Sequence, residues 1–317
     1  MHDRYGAPDV LEVRELEPPE LGDDDLLLRV RAAGVDPSVW HFTTGLPYLV
    51  RLGNGVRAPR EHVRGLDVAG TVEAVGANVT ALRPGDDVFG SAAGSYAEYA
   101  RARERRLAAK PPHLSFEQCA AVPTSGYTAL QALRDKGELR EGERLLVIGA
   151  GGGVGSLAVQ IGKALCATVT GVCSTGKVEL VRGLGADRVV DYTDEEFDGG
   201  ERYDVILETA GRRPLLRLRH ALAPGGRLVL IAGNPDGRLV AGLDRHLRAA
   251  ALSPFVSQKL RPMLASADQD DLEVLRGLMA DGKLTPVIDR TYPLADAAEA
   301  VRYIHAGHAA GKVVLTV

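Results

Sequence analysis

The residue types best placed to do chemistry lie between positions 145 and 177. LLVI runs straight into GAGGGVG, and an amphipathic helical pattern follows with Leu157, Ile161, Ala164 and Leu165. A strict GxGxxG fails in either register, because its last position falls on Val154 counted from Gly149 and on Ser156 counted from Gly151. The pattern that fits is GxxGxxG, at Gly149, Gly152 and Gly155. Glycines permit a tight strand-to-helix turn and let backbone N–H groups approach a pyrophosphate at the helix N-terminus. Set between a strand and a helix, the cluster predicts a dinucleotide site, with a purely structural turn as the alternative.

The residues after the next strand decide which dinucleotide suits that site. TVTGV is followed by CSTGK, so Ser174, Thr175 and Lys177 stand where an NAD-selective site carries Asp or Glu for the ribose hydroxyls. Hydroxyls with a cation suit a 2′-phosphate; a capping serine and a surface lysine are the bland reading. Gly233 and Asn234 end RLVLIAGN, where a parallel sheet presents its ligand edge.

These groups need a scaffold, and the pattern supplies two kinds. Residues 1 to about 113 read as short strands broken by turns: 26–35, 66–76, 87–90 and 95–100, with PGD and repeated glycines at the joints. That is the pattern of an irregular antiparallel barrel. From 114 the period changes. A helical stretch with Ser115 as N-cap leads into alternating strands and helices, the signature of parallel βαβ units. The last 50 or so residues, with an amphipathic helix stopped at Gly282 and the strand KVVLTV, are expected to return to the first domain. The fold class is therefore α/β, with residues 114–267 as one domain and residues 1–113 plus 268–317 as the other.

Composition excludes several classes. The 317 residues are 45% hydrophobic and 25% charged with a formal net charge of -4, and the arginines are scattered, so no nucleic-acid partner is expected. No apolar run approaches the roughly 18 residues of a membrane span, and MHDRYGAPDV lacks the regions of a signal peptide; a cytoplasmic protein is expected. Cys119, Cys166 and Cys173 form no CxxC and read as small buried hydrophobes.

Several ordered stretches resemble the medium-chain dehydrogenase/reductase superfamily and its zinc-free quinone oxidoreductase branch. They are RYGAPDVLEV, GVDPSVW, GLDVAGTVEAVGANVTALRPGDDVFG, AAVPTSGYTAL, GAGGGVGSLAVQIGKAL, GADRVVDY and GKLTPVIDRTYPLADAAEAVRYIHAGHAAGKVVLTV. The resemblance implies a GroES-like β-barrel catalytic domain built from both chain ends, a Rossmann doubly wound parallel sheet between them, and NADPH-dependent reduction. It also implies pyrophosphate contacts at Gly152, Gly153 and Val154, adenosine phosphate contacts at Ser174, Lys177 and Tyr192, and Thr128 facing the nicotinamide.

Three departures qualify the resemblance. Zinc alcohol dehydrogenases have GHE where this chain has Gly65-Leu66-Asp67, and a cysteine where it has Asp36, so no metal is expected. Quinone oxidoreductases usually carry Asn at the place of Asp36, so the amide expected near the nicotinamide ribose is replaced by a carboxylate. Relatives also place a strand before the RYG turn, so the chain either begins at an internal methionine or has a barrel lacking its first strand.

Reducing a conjugated carbonyl needs a hydride to the β-carbon and a donor for the enolate oxygen. The candidate donors are Ser38, His41 and Tyr48, read as a loop with Trp40 beside them. Ser38 matches a proton-relay hydroxyl of zinc dehydrogenases or is structural. His41 is an acid near neutral pH or a solvated histidine. Tyr48 presents its phenol or lines a wall. His305 and His308 read as surface residues. The function expected is reduction of quinones or enones by a homodimer paired through strands near 227–233 and 252–258. A nucleotide-binding accessory protein and a simple aldehyde or ketone reductase are the alternatives.

Overall fold

The computed structural model describes residues 1–211, 213–231 and 243–317. It divides into two compact units: Met1–Tyr127 with Ala267–Gly282 and Pro286–Val317, and Thr128–Ser266 with Lys283–Thr285. The stretch 114–127, read from sequence as part of the second domain, packs with the first. Its Thr124 and Ser125 bond carboxylates of that unit, which fixes it there.

In chain order the first unit opens with β1 (Asp25–Val35), α1 (Pro37–Thr44) and α2 (Val50–Asn54), then β2 (Asp67–Val75), β3 (Asp87–Ser91), β4 (Tyr99–Arg103) and β5 (Leu107–Ala109). Residues 34–48, read as a loop, hold the end of β1 and the helix α1 instead. Pro37 pre-sets the first helical position and Gly45, at φ 65°, ends it. The fourth strand begins at Tyr99, not at 95. Ser115 caps α3 (Phe116–Ala120) as expected, in a reciprocal capping box with Gln118, but the helical stretch breaks there and resumes as α4 (Pro123–Gln131), which carries the chain across the unit boundary.

The second unit contains β6 (Arg144–Ile148), α5 (Gly153–Ala164), β7 (Thr168–Cys173), α6 (Val178–Gly183), β8 (Arg188–Asp191), β9 (Tyr203–Glu208), α7 (Leu215–Ala221), β10 (Leu222–Leu230), α8 (Leu243–Leu252) and β11 (Lys259–Pro262). Six strands lie in the order β11-β10-β9-β6-β7-β8, every pair parallel. The chain runs from β6 through β7 to β8 on one side and returns to β9 on the other side of β6, which makes the C-terminal end of β6 the switch point of the sheet, where open α/β sheets hold ligands. Burial on both faces explains the near-continuous apolar runs LLVI and VILE, with Leu146, Ile148, Ile206 and Leu228 in one core cluster.

The chain then returns to the first unit with α9 (Gln269–Ala280), β12 (Ile288–Pro293), α10 (Ala297–His305) and β13 (Lys312–Thr316). The resulting sheet runs β12-β13-β1-β2-β3-β5, with β4 also pairing β1. Strand β13 lies antiparallel to β1, with Val313 opposite Val35, so both ends of the chain share one sheet. Residues 1–24 hold one 3-10 turn, Pro8–Val10.

Three expectations are corrected. The edge strand placed near 252–258 is β11, because 253–255 form a 3-10 turn and Ser253 Oγ receives the Leu260 N–H at 3.0 Å. Strand β10 is paired on both sides, so it offers no edge for dimer formation. Cys166 is exposed at φ 59°, just past α5, while Cys119 and Cys173 are buried.

The turn from β6 into α5 depends on its glycines. A Cβ on Gly155 would lie 2.1 Å from the Gly149 carbonyl oxygen, and Gly149 itself has φ 86°. Helix and strand therefore approach more closely than any side chain permits. Gly155→Ala should destabilise the protein by about 1–3 kcal/mol, the usual cost of overpacking, read as a lower urea midpoint.

Candidate active site

The second unit gathers most of the nucleotide candidates at one sheet edge. Gly152 is the N-cap of α5 and has no side chain to cap it. The first-turn N–H groups of Gly153, Val154 and Gly155 thus lack an intrahelical acceptor, at the positive end of a 12-residue helix. Gly152, Gly153 and Val154 are half-buried, open enough for an anion. A pyrophosphate fits this cradle, since it offers oxygens to donors that nothing else in the first turn satisfies.

Beside it, Ser174 heads the 3-10 turn Thr175–Lys177. The Lys177 stem crosses Gly151 so closely that a Cβ there would meet Lys177 Cδ at 2.7 Å. Lys177 is therefore laid against the glycine turn. Tyr192, half exposed, follows β8, and its N–H bonds the Cys173 carbonyl at 3.1 Å. Thr128 is buried near the start of this unit. Gly233 and Asn234 lie outside the described residues.

The sequence reading missed Asp191. It ends β8 in register with Cys173, and the Thr193 N–H and hydroxyl donate to its Oδ1 at 3.0 and 2.8 Å. Bonding from Thr175 and then Thr193 holds this carboxyl below its usual range, so it is charged at neutral pH. The signal was present in RVVDY, but strand register is needed to bring it beside CSTGK.

The first unit holds a buried charge cluster. Asp36 is the N-cap residue of α1, yet its side chain does not cap the helix. Instead its Oδ1 receives Lys312 Nζ at 2.6 Å and Ser125 Oγ at 3.3 Å. Asp67, wholly buried, accepts from Thr124 N–H at 3.1 Å and Oγ1 at 2.6 Å, and its Oδ2 lies 3.8 Å from Lys312 Nζ. Burial pushes the Asp67 carboxyl well up, and the Asp36 charge pushes it further, so Asp67 keeps its proton and bonds Asp36 with it. Burial would raise Asp36 as well, but Lys312, Asp67 and Ser125 outweigh it and leave that carboxyl lowered. Tyr96 donates to the Gly34 carbonyl at 3.2 Å and stays a phenol, since burial and then both carboxylates raise it.

Among the catalytic candidates, His41 is half-buried on α1, and its Nδ1 lies 2.7 Å from the Leu46 carbonyl oxygen. A carbonyl only accepts, so Nδ1 carries a proton and donates it there. Ser38 is half-buried on the first turn of the same helix. Tyr48 is half exposed, with the Arg51 guanidinium 4.9 Å from its ring centroid. His305 and His308 are exposed as expected, although His305 also stacks on Trp40 at 3.9 Å. Leu66 offers no donor atom, and the described residues contain no group of three His, Cys, Asp or Glu that could hold a metal. No helix among them is long and apolar enough to cross a membrane.

Two protein families and several known proteins match the chain. Residues 22–112 match the alcohol dehydrogenase GroES-like domain family, and residues 184–315 match the zinc-binding dehydrogenase family. The chain is 33% identical to a 2-methylene-furan-3-one reductase of Solanum lycopersicum, covering 98% of this chain and 76% of that protein. It is 33% identical to a quinone oxidoreductase of Homo sapiens, covering 98% and 95%. A solved Escherichia coli quinone oxidoreductase complexed with NADPH superposes with a TM-score of 0.82 at 25% identity, covering 100% of this chain and 98% of that one.

The charge cluster generates a test of opposite signs. Lys312→Met leaves a buried carboxylate without its cation and should cost about 3–5 kcal/mol of stability. Asp67 contributes stability that is full below the unfolded carboxyl value of about 4 and is lost as pH rises through its higher folded value. Asp36 contributes above about 4 and loses its part as pH falls through its lowered value. Asp67→Asn, which keeps a donor toward Asp36, should therefore remove part of the stability decline between about pH 5 and 8, measured by urea unfolding at each pH.

Proposed function

The chain belongs to the quinone oxidoreductase-like family of the medium-chain dehydrogenase/reductase superfamily, and from that premise we propose that it reduces quinones or α,β-unsaturated carbonyl compounds with NADPH and without zinc. Oxidoreductase activity and a nicotinamide cofactor come with the family. The finer reading rests on one observation above all. An uncapped helix N-terminus stands beside a turn that carries a serine hydroxyl and a lysine laid across the glycines. The NADPH named with the E. coli structure supports the same choice.

On the substrate side, a 2-methylene-furan-3-one is a conjugated ketone and a quinone is a doubly conjugated one. Both accept hydride at carbon while negative charge develops on oxygen. Bound NADPH supplies that hydride. The chain must then supply a proton donor for the oxygen, and Tyr48 is the first candidate because its phenol is partly exposed. Ser38 is the second. His41 has Nδ1 committed to the Leu46 carbonyl, which leaves only Nε2 to face a substrate. The donor set does not fit zinc: Leu66 has no ligating atom, and the Asp36 carboxylate is bonded to Lys312. Without a Lewis acid, an isolated alcohol is not acidified for oxidation.

A homodimer is part of this reading. Strand β11 is, among the described residues, one of the two unpaired edges of the parallel sheet, and such an edge offers a ladder to a second copy. A light-scattering mass of a single chain at micromolar concentration would count against it.

Purified protein should oxidise NADPH with a small quinone or enone and leave a plain secondary alcohol untouched, with no zinc by elemental analysis. Comparable rates on the alcohol, or no turnover with any conjugated acceptor, would overturn the reading. Lys177→Ala should weaken NADPH roughly 10- to 150-fold, as expected for loss of a charge-assisted hydrogen bond of about 1.5–3 kcal/mol. NADH should change little, and equal losses in titrations of both cofactors would reduce Lys177 to a surface lysine.

A further inference from the structure

Asp191 sets a charge problem at the proposed phosphate position. Its ionised carboxylate projects from β8 next to the 174–177 turn, because Asp191 pairs in register with Cys173. A 2′-phosphate, carrying about 1.5 to 2 negative charges, would meet that carboxylate with Lys177 as the sole cation of the turn. The site is short of positive charge.

Arg213 supplies it. Its guanidinium carbon stands 5.5 Å from the centroid of the Tyr192 ring and 5.7 Å from that of Phe197. The Tyr192 N–H bonds the Cys173 carbonyl, and the Thr193 hydroxyl lies 3.0 Å from that of Thr175, so the segment that carries the Tyr192 ring leaves the sheet against the same turn. Arg213 makes no ion pair among the described residues. Asp198, whose charge it feels, is taken by Arg217 in two bonds of 2.8 and 3.0 Å. A guanidinium held over an aromatic ring keeps its N–H edge for oxygen acceptors.

The loop that carries Arg213 is also fixed. Glu208, fully buried at the end of β9, accepts the N–H groups of Ala210 and Gly211 at 2.9 and 3.0 Å. Its other oxygen pairs with Arg245 of α8 at 2.6 Å, and Arg245 in turn donates to the Arg213 carbonyl at 2.8 Å. A buried, fully used carboxylate therefore anchors the loop from which Arg213 reaches the Tyr192 ring.

We propose that Arg213 is a specificity-determining residue for the 2′-phosphate, acting as a second cation with Lys177, and that Tyr192 is its platform. The proposal rests on the NADPH reading above.

Calorimetric titration with 2′,5′-ADP and with 5′-AMP separates the two claims without any turnover. Wild-type protein should prefer 2′,5′-ADP, and the absence of that preference would overturn the NADPH reading together with this one. With the preference established, Arg213→Ala should weaken 2′,5′-ADP by about tenfold or more while 5′-AMP changes less than about threefold. Arg213→Lys should recover part of the loss, which also controls for misfolding. Equal losses for both probes would make Arg213 an adenine contact, and no loss for either would make it a surface residue; each result overturns the proposal and leaves the cofactor assignment standing.

Discussion

The 2.6 Å contact between the Lys312 ammonium and the Asp36 carboxylate joins residues 276 positions apart and closes a unit made from both ends of the chain. Neither charge tolerates burial alone. Strand β13 delivers Lys312 at its first residue, and β1 delivers Asp36 at the position after its last, so the β1–β13 ladder and the ion pair enforce each other. Asp36 is also the N-cap residue of α1. The same contact therefore sets where that helix begins and where Ser38 and His41 are carried. Thr124 bonds the Asp67 carboxyl and Ser125 the Asp36 carboxylate, which holds the start of α4 to this unit.

In the second unit the governing constraint is steric rather than ionic. Strand β6 and helix α5 meet where Gly149 and Gly155 leave no room for a side chain, and the result is a bare helix end at the switch point of the sheet. Steric fit makes the cradle, and the charged and hydroxyl groups around it come from the neighbouring strands. Ser174 and Lys177 come from the end of β7, Asp191 and Tyr192 from β8 and Arg213 from the loop after β9. The groups along this edge thus come from the ends of three different strands.

Local features were legible in the sequence because their causes are local. The strand, glycine turn and helix of the nucleotide edge are written in consecutive residues, as is the capping box at Ser115. Helix α1 was missed although Pro37 and Gly45 mark both its ends, because eight residues with a weak apolar stripe show little periodicity. Strand β11 was misplaced because KLRP, four residues ending in proline, carries no alternation. The charge cluster could not be read at all. Lys312 and Asp67 look like ordinary polar residues at strand ends until pairing brings them to Asp36.

That cluster also explains how a carboxylate can occupy position 36, where the resembling quinone oxidoreductases usually carry an amide. With Asn at 36, Lys312 and Asp67 would form a pair of one cation and one anion. Asp36 adds a second carboxyl to the same buried space, and two adjacent carboxylates with one ammonium cannot both remain ionised without an uncompensated charge. The fold resolves this by keeping a proton on Asp67, which is wholly buried and bonds Asp36, while Asp36 takes the ammonium and stays ionised. The cluster remains neutral, with its anion moved from one side chain to the other. Asp36 therefore adds no free negative charge to the first unit, and its carboxylate is spent on the scaffold that positions α1.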